Sequence, residues 1–456
     1  MRIVIIGDGK VGYTLTERLA GEGHDLIVID SNGRTLQSLS NSLDVITVEG
    51  NGASAAVQRE AGVQHSDLLI AVTSMDELNM ICCLVGHNLG VRHTIARVRN
   101  PDYATQMDLL RDDLALSMTV NPELSAAQEI SRLLRFPSAI HIEAFARGRA
   151  ELVEYRVPED SALVGMPLHR MPSALSAHVL VCAVRRGDEV HIPSGDFVLR
   201  AGDHIHVTTP SIELPHFFRR VGANQQHIRT MLIVGGGRVA YYLARTMLAI
   251  GVQVTIIENN AERGDALKDR LPKALVIHGD GTDPDVLAEV GLEHTDAFVA
   301  LTGIDEENII LSLYARARSH GKVIAKVDRL PFISMLGGLG LDSLISPKAI
   351  AANAIVSYVR GMQNARGSNV ETMHQMLDGR VEGLEFRVRA TADYLNRPLK
   401  DLPLKDGLLI GCIVRRGTTI IPGGNDTIEA GDSVVVITTS RLLNDFNDIF
   451  KTRPGR

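Results

Sequence analysis

The sequence predicts an α/β protein with two doubly wound parallel-sheet domains, each followed by a small α+β domain. Three observations carry this. The chain repeats itself, its longer repeated unit alternates strands with helices, and in each copy a glycine-rich turn joins the unit's first strand to its first helix.

The repeat comes first because it sets the domain count. RIVIIGDGKVGYTLTERLA near the start returns as TMLIVGGGRVAYYLARTMLA near residue 230. Gly7, Gly9 and Gly12 align with Gly235, Gly237 and Ala240, and Asp30 aligns with Glu258, each pair 228 residues apart. GNGAS at Gly50 answers GDGTD at Gly279. SDLLIAVTSMDELNM answers TDAFVALTGIDEENI, matching Asp67 to Asp296 and Asn79 to Asn308. IARV at Ile95 answers IAKV at Ile324. A second unit also recurs: CAVRRGDEVHIPSGDFVLRAGDHIHVTT from Cys182 and CIVRRGTTIIPGGNDTIEAGDSVVVITT from Cys412. The order is long, short, long, short. Length alone would suggest about three domains at ~150 residues each. Duplication makes it four, with limits expected at 1–140, 141–222, 223–368 and 369–456, and with linkers near 137–149 and 361–379.

In the long unit, RIVIIG is a continuous apolar strand of the kind buried in a parallel sheet. YTLTERLAGEG is a short amphipathic helix stopped by glycine. LIVID is the next strand, TLQSLS a helix, VITVEG a strand, DLLIAVT a strand, NMICCLVGHNL a helix and TIARV a strand. This alternation implies βαβ units. The short unit reads as brief strands separated by Gly/Asp turns such as RRGDE, PSGD and AGDH, with one or two helices.

Composition narrows the function. Hydrophobic residues at 45% and charged residues at 22% describe an ordinary globular chain and exclude wholesale disorder. A net charge of −7 argues against a broad nucleic-acid face, and 4% aromatic content with no Trp argues against base stacking. No apolar run approaches the ~18 residues needed to span a bilayer, and the first residues lack a signal-peptide pattern, so a cytoplasmic soluble chain is expected. The four cysteines form neither a C-x-x-C pair nor a disulfide ladder and read as buried, reduced thiols.

The strongest chemical signal is Gly7-x-Gly9-x-x-Gly12, set directly after a strand and opening a helix. The first glycine permits the tight turn, the second lets a pyrophosphate approach the backbone, and the third lets helix and strand pack closely. The helix N-terminus offers unpaired N–H groups to phosphate. Asp30, 23 positions after Gly7, ends the second strand, where a carboxylate accepts hydrogen bonds from a ribose; Glu258 stands 23 positions after Gly235. Each long unit is therefore expected to be a Rossmann-like nucleotide-binding domain. An acid at this place favours NAD over NADP, although Arg34 stands close by. ADP or ATP would satisfy the same contacts. Thr73 and Ser74, and Thr302 and Gly303, end the fourth strand at the crevice. Lys10 and Arg238 in the glycine loops, and Arg97 and Lys326 ending later strands, could meet phosphate or lie as solvated charges.

A dehydrogenase needs an acid or base beside the nicotinamide. The short units share turns and strands and no catalytic set. His204 and His206 fall on one strand face, but Ser433 and Val435 replace them in the second copy, so exposed strand histidines are expected rather than a metal site. No G-x-S-x-G, Walker A or H-E-x-x-H pattern is present. A helix-turn-helix with a basic face, as an NAD-responsive transcription regulator would need, is absent as well. The chain reads as a ligand sensor, not an enzyme.

On GDGKVG, VEGNGAS, AVTSMDELN and IARVRNPDY, and on the duplicated order, the chain resembles the tandem RCK (regulator of K⁺ conductance) family of Trk potassium-uptake regulators, from Met1 to about Asp448. Each long unit is similar to an RCK-N (TrkA-N) domain and each short unit to an RCK-C domain. The resemblance implies a cytoplasmic peripheral subunit on the inner face of the membrane. It implies self-assembly into a ring, a homotetramer, docked on a K⁺ channel of the TrkH/TrkG type and gated by NAD(H) and ATP or ADP. Carried over, the phosphate loop is Gly7, Asp8, Gly9, Lys10 and Val11, followed by Gly12. The ribose acid is Asp30, the crevice pair Thr73 and Ser74, and the basic contact Arg97, with Asn51 in the GNGAS turn. The second copy supplies Gly235, Gly237, Arg238, Val239, Glu258, Asp280, Thr302 and Lys326. It departs from the pattern at Ala240 and Lys326.

Overall fold

The computed structural model describes residues 1–451 apart from 105, 137, 146–147, 223–226, 329–340, 342, 365–369, 378–379, 389–393, 441–442 and 444. The chain forms two compact units, Met1–Ser131 with Ile228–Val356, and Arg132–His227 with Ser357–Arg456.

The first unit holds the two large domains. The first runs β1 (Arg2–Ile6), α1 (Lys10–Gly21), β2 (Asp25–Asp30), α2 (Gly33–Ser42), β3 (Ile46–Glu49), α3 (Ala55–Glu60), β4 (Leu68–Ala71), α4 (Asp76–Asn88) and β5 (His93–Arg97). Short helices α5 (Pro101–Ala104) and α6 (Met107–Leu110), then β6 (Met118–Val120) and α7 (Pro122–Arg135), complete it. The sheet order is β3-β2-β1-β4-β5-β6, all parallel. The order reverses between β1 and β4, which opens a crevice beyond their C-terminal ends. Ile3 to Ile6 and Leu68 to Ala71 are at most 1% exposed, because helices cover both faces of the central strands.

The second unit begins with β7 (His141–Phe145), β8 (Ala150–Arg156), α8 (Met171–Leu175), β9 (Leu180–Arg186), β10 (Glu189–His191), β11 (His204–Pro210) and α9 (Leu214–Arg220). Its antiparallel sheet has the order β10-β9-β11-β8-β7.

The second large domain then repeats the first with β12 (Thr230–Val234), α10 (Arg238–Ala249), β13 (Gln253–Glu258), α11 (Ala261–Arg270), β14 (Leu275–His278), α12 (Pro284–Glu289), β15 (Ala297–Ala300), α13 (Asp305–Arg318), β16 (Lys322–Lys326), β17 (Leu344–Ile345) and α14 (Pro347–Asn364). Its sheet order, β14-β13-β12-β15-β16-β17, is that of the first. The second small domain, β18 (Val370–Met376), β19 (Val381–Arg387), β20 (Leu408–Arg415), β21 (Thr418–Ile420) and β22 (Ser433–Thr438), is ordered β18-β19-β22-β20-β21. That is the first small sheet's order read from its other edge. The two small sheets share one core, in which Leu152, Cys182, Cys412 and Val435 meet.

The predicted fold class is the observed one. All four cysteines are free and buried, and burial pushes the Cys82 and Cys182 thiols up to about 12, as expected of inert core thiols. Three readings need correction. The expected linkers each contain a strand, β7 and β18, because an edge strand can pair along one side only and so carries a weak apolar signature. The sixth strand of each large sheet went unread, being only three and two residues long. The strand histidines are not all exposed. His206 is 3% exposed with Nε2 3.8 Å from Glu154, and His204 Nδ1 lies 2.9 Å from the same carboxylate. Burial alone would raise the Glu154 carboxyl. The His204 hydrogen bond and the nearby His206, His204 and His141 rings outweigh it and hold the group at about 2. Among the described residues no cluster of His, Cys, Asp and Glu is arranged to hold a metal ion.

Candidate functional site

In both large domains the glycine turn sits at the crevice, and its geometry explains each glycine. Gly7 has φ +100° and Gly235 φ +97°, a left-handed conformation that side chains resist. Each donates its N–H to the second strand, Gly7 to the Ile29 carbonyl and Gly235 to the Ile257 carbonyl, both at 2.8 Å. A Cβ on Gly12 would stand 1.9 Å from the Gly7 carbonyl oxygen, so α1 starts hard against the turn. A Cβ on Gly9 or Gly237 would meet nothing within 4 Å, so here the backbone faces open space. Both are N-caps with no side-chain cap, which leaves the first N–H groups of α1 and α10 for a ligand. Val11 and Val239 are buried at 6% and 7% exposure, so they contribute only main chain to this turn.

The acids behave differently in the two copies. Asp30 is partly exposed. Its Oδ2 accepts from the Asp8 N–H at 2.7 Å and its Oδ1 from the Asn32 N–H at 2.8 Å. Glu258 makes the same two contacts, with Gly236 at 2.7 Å and Asn260 at 2.8 Å, but it is 2% exposed, and an Arg263 guanidinium nitrogen lies 3.3 Å from both its oxygens. Asp8 stands where the second copy has Gly236. Its carboxyl is buried, Oδ1 has no partner, and burial with the adjacent Asp30 charge raises it to about 6.

Beyond the fourth strand the copies share one asparagine clamp on the main chain, to which the first copy adds a Thr73 hydroxyl bond to Asn79 Oδ1 at 2.7 Å. Asn79, fully buried, accepts from the Thr73 N–H at 2.8 Å and donates to the Arg97 carbonyl at 2.9 Å. Asn308 does the same for Thr302 and Lys326, at 2.8 and 2.9 Å. These asparagines shape the crevice lip and tie β4 to β5 and β15 to β16. Arg97 donates to the Thr73 carbonyl, and burial with the neighbouring Arg99 and Arg238 charges pushes it down to about 10. Asn51 and Asp280 each cap their own turn: Asn51 Oδ1 accepts from the Ala53 N–H at 3.0 Å, and Asp280 Oδ1 from the Thr282 N–H at 2.9 Å. Ser74 is exposed, and its carbonyl accepts from Arg99. Lys10 is exposed, 4.0 Å from Asp328 of the second large domain.

A cavity of about 620 Å³ opens at the second glycine turn. Gly236, Gly237, Arg238, Tyr241, Arg263 and Arg270 line one side, and Asn100, Pro101 and Asp102 of the first large domain line the other. Arg270 donates to Asp102 Oδ2 at 3.2 Å. Three guanidinium groups beside the open main chain at Gly237 suit a phosphate chain. Volume, open backbone and cations together fit a nucleotide's diphosphate.

The TrkA-N domain family model matches residues 3–122 and 231–347, and the TrkA-C domain model matches 152–222 and 384–451. The chain belongs to the TrkA family. A TrkA relative, the Trk system potassium uptake protein TrkA homolog 1 of Methanosarcina mazei, is 32% identical over 99% of this chain and 100% of its own length. The Trk system potassium uptake protein TrkA of Haemophilus influenzae is 31% identical over 96% of this chain and 95% of its own. Both names are those of a potassium-uptake protein, not an enzyme. Among solved structures, the GsuK channel bound to NAD has a TM-score of 0.64 at 19% identity, over 96% of this chain and 77% of that one. GsuK bound to ADP has a TM-score of 0.51 at 18% identity, over 79% and 69%. At these identities the likeness is one of fold.

For this TrkA chain, sequence reading missed Arg263, Arg270 and Tyr241. Arg263 and Arg270 carried a signal, being two of the three cations in the helix that follows Glu258. Asn100–Asp102 carried none, because their place in the second cavity arises only when the two large domains pack together. No described helix is long and apolar enough to cross a membrane.

Proposed function

We propose that the chain is the nucleotide-sensing regulatory subunit of a Trk-type potassium uptake system, with domain limits at 1–140, 141–222, 223–368 and 369–456. The reading rests above all on the duplicated glycine turn, which leaves open space over the backbone at Gly9 and Gly237, beside a strand-end carboxylate, in both copies. The names of its TrkA relatives supply the transport context, and the NAD- and ADP-bound GsuK structures supply the ligand class.

In this reading the first site holds NAD(H). The uncapped N–H groups at the start of α1 take the pyrophosphate and Asp30 takes the adenosine ribose. The second site, whose acid lies beneath Arg263 and whose rim is cationic, takes ADP or ATP. No reaction is catalysed. The bound nucleotide shifts the balance between arrangements of an assembled ring, a homotetramer, through its different affinity for each. The ring docks on a membrane K⁺ channel subunit of the TrkH/TrkG type and opens or closes it from the cytoplasmic side.

Titration calorimetry of the full chain with NADH, NAD⁺, ATP and ADP, repeated with Asp30→Ala and Glu258→Ala, tests the sites. Loss of one ligand with Asp30→Ala and weakening of another with Glu258→Ala is the expected pattern. Binding untouched by either change would remove the nucleotide reading. Nucleotide-dependent K⁺ flux through channel vesicles, measured with and without the chain, tests the partner.

A further inference from the structure

Each large domain reaches the other's glycine turn with the tip that follows its fifth strand. In the first domain this tip is Arg99 to Asp102. The N–H groups of Arg99 and Asn100 both donate to Asp76 Oδ2 at 2.7 Å, and the Arg99 guanidinium donates to the Ser74 carbonyl at the first crevice. On its other side the tip is held by the second domain. Tyr242 donates its hydroxyl to the Arg99 carbonyl at 3.0 Å and accepts from Asn121 Nδ2 at 3.0 Å. Tyr242 is 1% exposed and lies on α10, the helix that the second glycine turn opens, next to the cavity-lining Tyr241. Asp102 closes the path by accepting from Arg270 in the second cavity.

Among the described residues this arrangement is not repeated in the other direction. Thr14 occupies the place of Tyr242 in the first domain, and Asp328, the counterpart of Arg99, meets Lys10 only at 4.0 Å.

We propose that this tip couples the two nucleotide sites of a single chain. Binding of a nucleoside polyphosphate in the second cavity changes the affinity of the first site. The inference rests on the nucleotide reading above and adds its wiring. A phosphate chain beside Arg270 competes with Asp102 for the guanidinium. Asp102 sits on a segment whose start is clamped by Asp76, and Asp76 and Ser74 share Arg99. A shift of that segment therefore reaches the lip formed by Thr73 and Ser74 through bonded groups. By linkage, a first-site ligand must change second-site affinity by the same factor.

The test is titration of the full chain with NADH, alone and at saturating ADP, and of ADP at saturating NADH. Asp30→Ala and Arg238→Ala assign the sites. The wild type is expected to show equal reciprocal shifts of at least about fivefold. Tyr242→Phe should bring both shifts close to one while each ligand alone binds as before. Arg99→Lys, which loses the Ser74 bridge, should do the same and serves if the phenylalanine variant does not fold. Two ligands that bind without influencing each other would overturn the coupling and leave the nucleotide reading standing. Coupling that survives in both variants would overturn this route. Absence of any nucleotide binding would overturn the reading and the coupling together.

Discussion

In the first large domain the strand-end acid, Asp30, stands partly open beside a second carboxylate, Asp8. In the second, Glu258 is 2% exposed beneath Arg263, glycine replaces Asp8, and Arg238 and Arg270 look into the same cavity. Yet the turn, the acid's two main-chain contacts and the Asn79/Asn308 clamp are the same in both. Duplication has kept what backbone sterics and buried hydrogen bonds demand, since any change there costs stability at once. It has let the charge around that frame diverge, at Asp8 against Gly236 and at Arg263 and Arg270, and that charge decides which anion fits.

The sharpest break in the comparison is at Gly12 and Ala240. A methyl group at Gly12 would collide with the Gly7 carbonyl oxygen at 1.9 Å, whereas the second copy already holds an alanine there. Gly12→Ala should destabilise the first domain by about 1–3 kcal/mol or more, as overpacking does. Ala240→Gly should cost only about 1 kcal/mol in helix propensity. Denaturant midpoints of the two variants measure the asymmetry, and equal losses would mean that the two turns pack alike.

Next comes a pair expected to behave alike in the main-chain bonds they share. Asn79→Ala and Asn308→Ala each strand a partly buried Thr N–H and a strand carbonyl, at about 1–3 kcal/mol. Thermal unfolding that separates the two by a wide margin would show that the clamps are not equivalent.

A smaller effect separates the cations. Arg238→Ala should weaken ADP binding about tenfold, the lower end for a charge-assisted contact. Lys10→Ala should do less at the first site, because Asp328 already draws on that charge. Calorimetry on both variants reads the difference.

A different kind of break is a pH effect at Asp8. Its folded-state pKa, about 6, lies above the ordinary 3.8, so folding favours the protonated acid. That contribution is complete below about pH 4 and is lost as pH rises through 6. Asp8→Asn should therefore match the wild type in melting temperature near pH 4 and exceed it near pH 7.5. A constant difference across that range would place the Asp8 titration elsewhere.

The duplicated order, both parallel sheets, the glycine turns and the two strand-end acids were legible in the sequence. They rest on local rules: strand and helix periodicity, the conformation that only glycine adopts freely, and the fixed distance from a turn to the end of the next strand. The strands β7 and β18 and the brief β6 and β17 were not legible, because edge and very short strands are defined by their partners more than by their own pattern. Nor was the burial of His206, which follows from its pairing opposite Glu154. Only tertiary structure decided that Glu258 lies beneath Arg263 while Asp30 stays open, and that Asn100–Asp102 of one domain line the cavity of the other. The cavity wall depends on surfaces that meet across more than a hundred residues of chain, which no local spacing encodes, whereas Arg263 stands only five residues from Glu258 and what packing decides there is the burial of the acid.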